Sequence, residues 1–311
     1  MAQNPHTPSE PHISDFNVPV VEEFRAAKGR VGGMFEGGDL LLLTTVGARS
    51  GREHTTPLGY VRSEGHVYVV GSAGGADRHP DWYHNLLAHP LVRVELGAEE
   101  FEAVAVPAEG TERDRLFAEF VAASPGYADY QAGTDRVLPV VALERVHQET
   151  TTEATDLADK LVEVHTWLRS QLRHVRAEAE TYLTERTAGA HGDGVPPPGL
   201  SLQLRQHCLA FCETLRFHHT GEETMFPVLG QRAPHLEETL RRLSEEHRTV
   251  ERIRGELETL IGDLATADPE RFRAELDRMS RELEAHLDYE EAELIPTLAA
   301  IPFPPGPPAQ E

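Results

Sequence analysis

Two histidines and two glutamates interrupt a stretch that otherwise has the apolar spacing of a helix: RFHHTGEETMFP, from Arg216 to Pro227. Residues at alternating spacings of three and four share the core-facing stripe of a helix. On that stripe His218 and Glu222 take positions where leucine is expected, and a later helix repeats the pattern with His286 and Glu290. Both pairs therefore place an imidazole and a carboxylate inside a predicted core.

Two further predicted helices add one core histidine each, His165 and His247. His174 lies about half a turn round the helix from His165, so we expect it to face solvent. A single core histidine is most often a hydrogen-bonded structural residue, but buried carboxylates are rare unless they are paired or bind a metal. A pair of divalent metal ions accounts for all six side chains, because imidazole suits iron, zinc or copper and a glutamate can bridge two ions.

These side chains require a bundle of helices to hold them. After the polar segment 147–156, which we interpret as a linker, amphipathic segments cover about 156 to 187, 200 to 229, 235 to 264 and 268 to 299. Their number, length and connections predict an all-α, up-and-down four-helix bundle over 157–300. The tail, 301–311, is rich in proline.

The order H, HxxxE, H, HxxxE, with the segments HHTGEETMFPVL and HLDYEEAELIPTL, resembles the hemerythrin-like, or HHE cation-binding, family over about 157 to 299. The resemblance implies a non-haem di-iron site. Its ligands would be His165, His218, Glu222, His247, His286 and Glu290.

The chain departs from the hemerythrin pattern at one position. Hemerythrins proper place a second histidine one turn after the third-helix ligand, where this chain has Glu251. Reversible oxygen carriage, reaction with oxygen, peroxide or nitric oxide, and iron sensing are therefore all open. His207 and His219 flank the second-helix stripe as further candidate ligands, and His219 with Glu223 is a rival to the pair His218 and Glu222.

The first half of the chain has the shorter period of β-strands. From Leu40 to about Arg145 six short segments alternate with turn residues: LLLLTTV, HTTPLGYVR, HVYVVGS, LVRVEL, EFEAVAV and VLPVVALE. Two helical segments interrupt them, HPDWYHNLLAH and TERDRLFAEFVAA, and a leading helix is predicted from about Val20 to Met34. Mostly β structure with glycine-rich turns predicts a small barrel over 1–146.

Two glycine-rich turns in this barrel could hold a ligand. In TTVGARSGREHTTPLGYV the glycines allow the backbone to approach a ligand closely, and the guanidinium groups of Arg49 and Arg52 could bind a phosphate. A plain hairpin turn would give the same pattern. A second turn, in GSAGGADRHPDWYHNLLAHP, leads into a helix that carries Trp82 and Asn85.

Together with PGYADYQAGTDRVLPVVALE, these turns resemble the deazaflavin-dependent nitroreductase family over about residues 20 to 145. The resemblance implies an α+β split β-barrel of the FMN-binding split-barrel type, with F420 rather than FMN as cofactor. It implies phosphate and tail contacts from Arg49, Ser50, Gly51 and Arg52, with Pro57 and Leu58 alongside. Ring contacts would come from Ser72, Gly74, Gly75, Trp82 and Asn85.

On the substrate side the resemblance places Tyr127 and Tyr130. These tyrosines and Ser72 are the candidates for donating a proton to the acceptor or polarising it, since a tyrosine of ordinary pKa is protonated at neutral pH. The chain departs from the family pattern at Ala48, Ala73 and Gly133, where members often have a basic residue, a lysine and an aromatic residue.

Composition narrows the classes of function. Fifty-two acidic and 29 basic residues give a formal net charge of −23, which repels nucleic acid and anionic membranes. The sequence has no run of about 18 apolar residues and no signal-peptide pattern at its start, so we expect a cytoplasmic protein without a membrane span. Cys208 and Cys212 lie four residues apart on one predicted helix, and we expect them to pack in the core. The alternative is a redox role beside a nearby metal.

These features predict a two-domain oxidoreductase. Hydride would pass from reduced F420 to a small-molecule acceptor, a quinone, nitroaromatic or activated alkene, in a protein whose di-iron domain handles oxygen, peroxide or nitric oxide. The alternative is a non-catalytic oxygen, iron or redox sensor in which the barrel only holds cofactor, and turnover separates the two. Related split barrels often dimerise, which makes a homodimer a further expectation.

Overall fold

The structure is a computed structural model that describes residues 11–146, 154–188, 200–262 and 266–302. The chain divides into two compact units, Met1–Val146 and His147–Glu311. Most of the predicted linker and of the predicted proline-rich tail lies outside the described residues.

The first unit is a closed antiparallel barrel. Its strands are β1 (His12–Ile13), β2 (Leu40–Val46), β3 (Glu53–Ser63), β4 (His66–Val70), β5 (Leu91–Leu96), β6 (Glu99–Ala108) and β7 (Val140–Arg145). The hydrogen-bonded order is β1-β3-β2-β5-β6-β7-β4, and β3 also pairs with β4. That second pairing closes six antiparallel strands into the barrel, and β1 adds a short parallel pair at His12 and Ile13.

Four described helices pack on this barrel: α1 (Val18–Ala26), α2 (Asp81–Ala88), α3 (Gly110–Ala123) and α4 (Gly126–Ala132). Successive side chains of a strand point to opposite faces. On β2 Leu41 and Leu43 therefore enter the barrel core, whereas Leu40 and Leu42 pack with Phe24 of α1. The continuous run LLLL is buried on both faces for this reason.

The prediction of a split barrel is confirmed, and three local predictions were wrong or incomplete. The leading helix ends at Ala26 rather than near Met34, because Lys28 and Gly29 have φ angles of 51° and 93°, outside the helical region. The short helix α4 and the short strand β1 were not predicted. The last strand begins at Val140, three residues after the predicted start.

The second unit consists of four long helices: α5 (Leu157–Ala188), α6 (Leu200–Arg232), α7 (Glu237–Gly262) and α8 (Pro269–Leu298). Helix α5 packs against α6 and α8, and α7 packs against the same two neighbours, as in an up-and-down bundle. Asp268 caps α8 by accepting a hydrogen bond from the Arg271 amide. Among the described helices, none combines the length and apolar character that crossing a membrane requires.

The helix faces follow the predicted phasing. Buried residues of α6 include Leu204, Cys208, Phe211 and Leu215, and the same stripe continues through Glu222 to Leu229. Because the helical period alone sets this stripe, the interior position of His218, Glu222, His286 and Glu290 needs no special local structure. Cys208 and Cys212 are both free and buried in α6.

Candidate metal centre and cofactor cleft

Seven buried side chains from the four bundle helices point their donor atoms at one another. They form two groups that each draw on more than one helix. The first group is His165, His218, Glu222 and Glu290, and the second is His219, His247 and His286. Six of these seven residues were predicted as ligands from the sequence, and His219 is the addition.

Distances within the first group suit a single ion. His165 Nε2 lies 2.8 Å from His218 Nε2, and His218 Nε2 lies 3.1 Å from Glu222 Oε1. Glu290 Oε2 is 3.6 Å from His165 Nε2 and 3.9 Å from His218 Nε2. Metal–ligand bonds of about 2.0–2.2 Å put neighbouring donors about 2.8–3.6 Å apart, so these four atoms surround one point at nearly that spacing.

The two glutamates connect the two groups. Glu222 Oε1 faces the first group, while its Oε2 lies 3.4 Å from His247 Nε2 in the second. Glu290 Oε2 is also 3.8 Å from His286 Nε2. Each carboxylate is therefore shared between the groups, which is the arrangement that bridges two metal ions.

The donor atoms themselves lack ordinary partners. Within the described part of the chain, no hydrogen bond of normal geometry reaches either oxygen of Glu222 or Glu290, or Nε2 of His219, His247 or His286. Buried polar atoms are otherwise almost always hydrogen-bonded. This concentration of orphaned donors at one place fits a metal site better than a structural polar cluster.

The two carboxyl groups cannot both ionise easily without a cation between them. Burial, together with the neighbouring Glu290, raises the pKa of Glu222 well above its ordinary value. Burial also opposes ionisation of Glu290, but contacts with Glu222, His165 and His218 lower its pKa. Burial likewise lowers the pKa of His218 to about 3, which keeps this imidazole neutral and able to bind a metal at neutral pH.

Three of the histidines are oriented by carboxylates outside the cluster. His165 Nδ1 lies 2.9 Å from Glu291, His247 Nδ1 lies 2.8 Å from Glu223, and His286 Nδ1 lies 3.0 Å from Glu246. An Nδ1–H that donates to a carboxylate leaves Nε2 as the lone-pair nitrogen, which points inward in all three. Arg169 and Arg242 in turn bind Glu291 and Glu246.

The alternative candidate ligands named from the sequence lie at different positions in the bundle. Glu223 is exposed at the surface, where it accepts hydrogen bonds from His247 and Ser244, so its role is to orient His247. Glu251 pairs with Arg254 at the bundle surface. His207 lies outside the cluster and contacts Glu178. His219, in contrast, stacks on His247 with ring centroids 4.2 Å apart.

A groove of about 440 Å³ between α6 and α7 leads to the second group. His219 and His247 form its floor, and Arg216, Arg248 and Arg254 lie around it. The groove therefore reaches the rings of two histidines of the second group, whose Nε2 atoms are themselves buried.

The barrel carries a cleft of about 750 Å³ beside the loop between β2 and β3. Four predicted cofactor contacts line it, Arg49, Ser50, Trp82 and Asn85. Its lining also includes residues that were not predicted, namely His12, His54, Arg78, His79 and His84. The described lining does not include the remaining predicted contacts.

The loop itself is a tight, preformed turn. Gly51 N–H donates to the Gly47 carbonyl, and Gly47 N–H donates to the Arg52 carbonyl, both at 2.8 Å. Gly51 has a φ of 64°, in the left-handed region that favours glycine, and a Cβ at Gly47 would lie too close to Ser50 Oγ, so that side chain would have to move. Arg49 and Arg52 are exposed on this turn, where their guanidinium groups can reach an anionic ligand.

Asn85 anchors that loop to α2. Its Oδ1 accepts a hydrogen bond from the Ala48 amide at 3.0 Å, and its Nδ2 donates to Thr45 Oγ1 at 3.1 Å. The buried amide thus fixes the loop against the barrel, a role that the sequence pattern did not reveal.

Positive charge in the cleft comes from arginines. Burial, followed by His12 and Arg52, lowers the pKa of His54, and burial, followed by Arg136 and His84, lowers the pKa of His79. Both imidazoles are therefore neutral at pH 7. Although the chain carries a net charge of −23, Arg49 and Arg78 line the cleft and favour an anion here, and Arg52 lies on the adjoining turn.

Arg136 organises the second glycine-rich turn. Its guanidinium donates to the carbonyls of Gly71, Ser72 and Ala76 at 3.0, 2.6 and 2.7 Å and contacts His79 Nδ1 at 3.1 Å. The turn that holds Ser72, Gly74 and Gly75 is thereby tied to the segment before β7. Sequence reasoning missed Arg136, because its partners are backbone carbonyls about 60 residues away.

The two candidate tyrosines lie on α4. Tyr127 approaches Gly59 of β3, where an added Cβ would lie 2.9 Å from the tyrosine hydroxyl, and Tyr130 packs against Gly75. Their ring centroids are 6.0 Å apart. Burial, and next the neighbouring Tyr130, raise the pKa of Tyr127, so its hydroxyl is protonated at neutral pH. Pro57 and Leu58 lie on β3 opposite Leu42 and Leu41.

Comparison with known proteins assigns the two units to two different families. A family model described as F420H(2)-dependent quinone reductase matches residues 19–145, and one described as hemerythrin HHE cation binding domain matches residues 140–298. The F420H(2)-dependent quinone reductase Rv1261c of Mycobacterium tuberculosis is 38% identical over 127 residues, which cover 39% of this chain and 85% of the relative.

Two solved structures are similar to the first unit. A structure of F420-H2 dependent reductase FDR-A is 40% identical, covers 34% of this chain and 94% of its own, and superposes with a TM-score of 0.32. A second, described as a domain-swapped dimer, is 36% identical, covers 41% of this chain and 96% of its own, and has a TM-score of 0.34.

Proposed function

Because the chain belongs to the F420H(2)-dependent quinone reductase and hemerythrin HHE families, we propose that its barrel reduces a quinone with F420 and its bundle binds two metal ions. The observation that carries the first half is the 750 Å³ cleft beside the arginine-bearing loop. The observation that carries the second is the set of orphaned buried donors.

In the barrel, Arg49, Ser50 and Arg52 bind the phosphate and the acidic tail of the cofactor, and Asn85 holds their loop in its binding conformation. F420, when bound, supplies a hydride. Reduction of a quinone to a hydroquinone takes that hydride and a proton. Tyr127 donates the proton, since burial keeps its hydroxyl protonated, and Tyr130 and Ser72 border the acceptor.

Quinone reduction by the purified full-length chain tests this proposal. With reduced F420 and menadione we expect turnover, and FMN should bind more weakly than F420 because its shorter tail makes less use of the arginines. Arg49→Ala combined with Arg52→Ala should weaken F420 binding by about a hundredfold or more, since each of the two charge-assisted hydrogen bonds contributes about 1.5–3 kcal/mol.

The matched control is Arg62→Ala, which removes an exposed arginine of β3 that stacks on Tyr60, outside the cleft lining. Equal affinity for FMN, or equal loss in the control, contradicts the cofactor assignment. Tight binding of F420 without turnover on quinones, nitroaromatics or activated alkenes supports a sensor instead.

In the bundle, His165 and His218 would hold the first ion, His247, His286 and His219 would hold the second, and Glu222 and Glu290 lie between the two groups. His219 supplies the nitrogen donor that hemerythrins take from the position of Glu251, but from the neighbouring helix. Iron is the expected metal, by family membership and because imidazole and carboxylate donors suit it.

Such a centre supplies redox chemistry toward small ligands, and oxygen, peroxide and nitric oxide are the proposed ones. The groove between α6 and α7 supports this, because it extends from solvent to the rings of His219 and His247.

Metal analysis after anaerobic loading with Fe²⁺ tests the ligand set. The wild-type chain should hold two ions, and its Mössbauer spectrum should contain two iron environments. His219→Ala should lose the second ion or bind it at least tenfold more weakly while the first remains. His235→Ala, which removes an exposed histidine, is the matched control. Two tightly bound ions in His219→Ala exclude it as a ligand.

We further propose that the two activities are coupled, with reduced F420 keeping the iron reduced. The presence of both units in one chain supports this. Mixing reduced F420 with the oxidised iron-loaded protein under argon, with and without a quinone mediator, should bleach the ferric absorption. An unchanged spectrum in both cases contradicts coupling.

A further inference from the structure

A third group of metal-type donors lies on the bundle, away from the seven residues of the dinuclear centre. It consists of His174 and Glu178, one turn apart on α5, and His207 on α6. From His165 to His174 and from His218 to His207, the helix rise of 1.5 Å per residue gives separations of about 14–17 Å along the bundle. The two groups therefore cannot share an ion.

The three donors surround one carboxylate. His207 Nδ1 lies 2.9 Å from Glu178 Oε2 and 3.0 Å from Oε1, and His174 Nε2 lies 3.3 Å from Oε1. All three donor atoms lie within 4.8 Å of one another. The separations of 2.9–3.3 Å are those of neighbouring ligands on one ion with bonds of about 2.0–2.2 Å.

The burial of these residues is unequal. Glu178 and His207 are more than nine-tenths buried, whereas the His174 side chain is 48% exposed. A carboxylate of this burial needs a cation or several donors. Gln203 Nε2 already donates to Glu178 Oε1 at 2.6 Å, which orients the carboxylate from outside the three-donor set.

We propose that His174, Glu178 and His207 form a third metal site, for a single divalent transition-metal ion such as Zn²⁺ or Fe²⁺. Two imidazoles and one carboxylate suit these ions rather than Mg²⁺ or Ca²⁺, which prefer oxygen donors. The ion would replace the hydrogen bond between His207 Nδ1 and Glu178, with Nδ1 as a lone-pair nitrogen. Because His174 borders solvent, the ion has free coordination positions for water or a small ligand.

The test counts metal ions on the full chain after removal of any histidine tag. Apo protein is dialysed against excess Zn²⁺, gel-filtered and analysed by mass spectrometry. Wild-type protein should retain one more equivalent than His174→Ala or Glu178→Gln, with at least a tenfold loss of affinity in each variant. Titration with Co²⁺ should give a visible absorption band that both variants lack.

Two further variants keep the result interpretable. Glu178→Gln retains the side-chain volume and can accept the Gln203 hydrogen bond, so its thermal unfolding serves as the check on folding. His218→Ala should lose metal from the dinuclear centre and keep the additional equivalent. Equal metal counts in wild type, His174→Ala and Glu178→Gln overturn the proposal, as does an equal loss in His235→Ala, which indicates non-specific histidine binding.

Discussion

Replacing Glu222 by glutamine should barely change the metal-free bundle but should abolish most of the stability that metal adds. The two side chains have nearly the same size. Burial and the neighbouring Glu290 raise the pKa of Glu222, which in the metal-free protein favours the uncharged carboxyl form that an amide resembles. We expect the free energy of unfolding of the apo form to change by about 1 kcal/mol or less.

The loaded protein should respond differently, because each oxygen of Glu222 faces one metal position. A ligand present at 100 times its Kd stabilises the folded state by about 2.7 kcal/mol. For domains of 150–250 residues, each kcal/mol raises Tm by about 2–4 °C, so this stabilisation raises Tm by about 5–11 °C. If the amide weakens metal binding about a hundredfold, the same metal concentration stabilises the folded state by only about 0.4 kcal/mol, which raises Tm by about 1–2 °C.

The assay is thermal unfolding of the full chain followed by helical circular dichroism, after chelation and again after anaerobic reloading with Fe²⁺, with the bound iron counted. His235→Ala should show the full metal-dependent increase in Tm. If Glu222→Gln keeps two ions and the same increase, Glu222 does not bridge them. If its apo form unfolds many degrees below apo wild type, Glu222 stabilises the bundle in the absence of metal and the reasoning from its raised pKa fails.

Asn85→Ala should weaken F420 binding about five- to tenfold in a fluorescence titration, because the Ala48 amide and Thr45 lose their partner, and unchanged affinity contradicts the loop-anchoring role. Since burial raises the pKa of Tyr127, quinone reduction should be independent of pH from about 7 to 9, with Tyr127→Phe lowering kcat about a hundredfold. If the wild-type rate begins to decrease before the pH has risen to 9, and the rate of Tyr127→Phe does not, the pKa of Tyr127 is not raised. Arg136→Ala should destabilise the barrel by about 2–3 kcal/mol in urea unfolding, because part-buried carbonyls lose charged donors. Glu246→Gln should weaken iron binding about 10–100-fold while two ions still bind at saturation, and a lost ion instead makes Glu246 a ligand.

The sequence alone was enough to place most of the architecture. Strand segments such as LVRVEL coincide with β5 from Leu91 to Leu96, and the predicted bundle helices begin and end within a few residues of those observed. These features follow from local periodicity, in which strands alternate and helices repeat every 3.6 residues. The same periodicity was enough to direct His218, Glu222, His286 and Glu290 into the bundle, since each lies on an otherwise apolar stripe.

Only the tertiary structure decided how those stripes meet. His219 is one residue off the stripe of α6, yet the rotation of α6 against α7 brings it onto His247, while Glu251 turns out to Arg254. The meeting of His174 with His207 depends likewise on the pairing of α5 with α6. A periodic pattern specifies which side of a helix is buried, but the axial register and rotation between helices depend on side-chain packing across the whole core, so contacts between distant residues are not readable from local spacing.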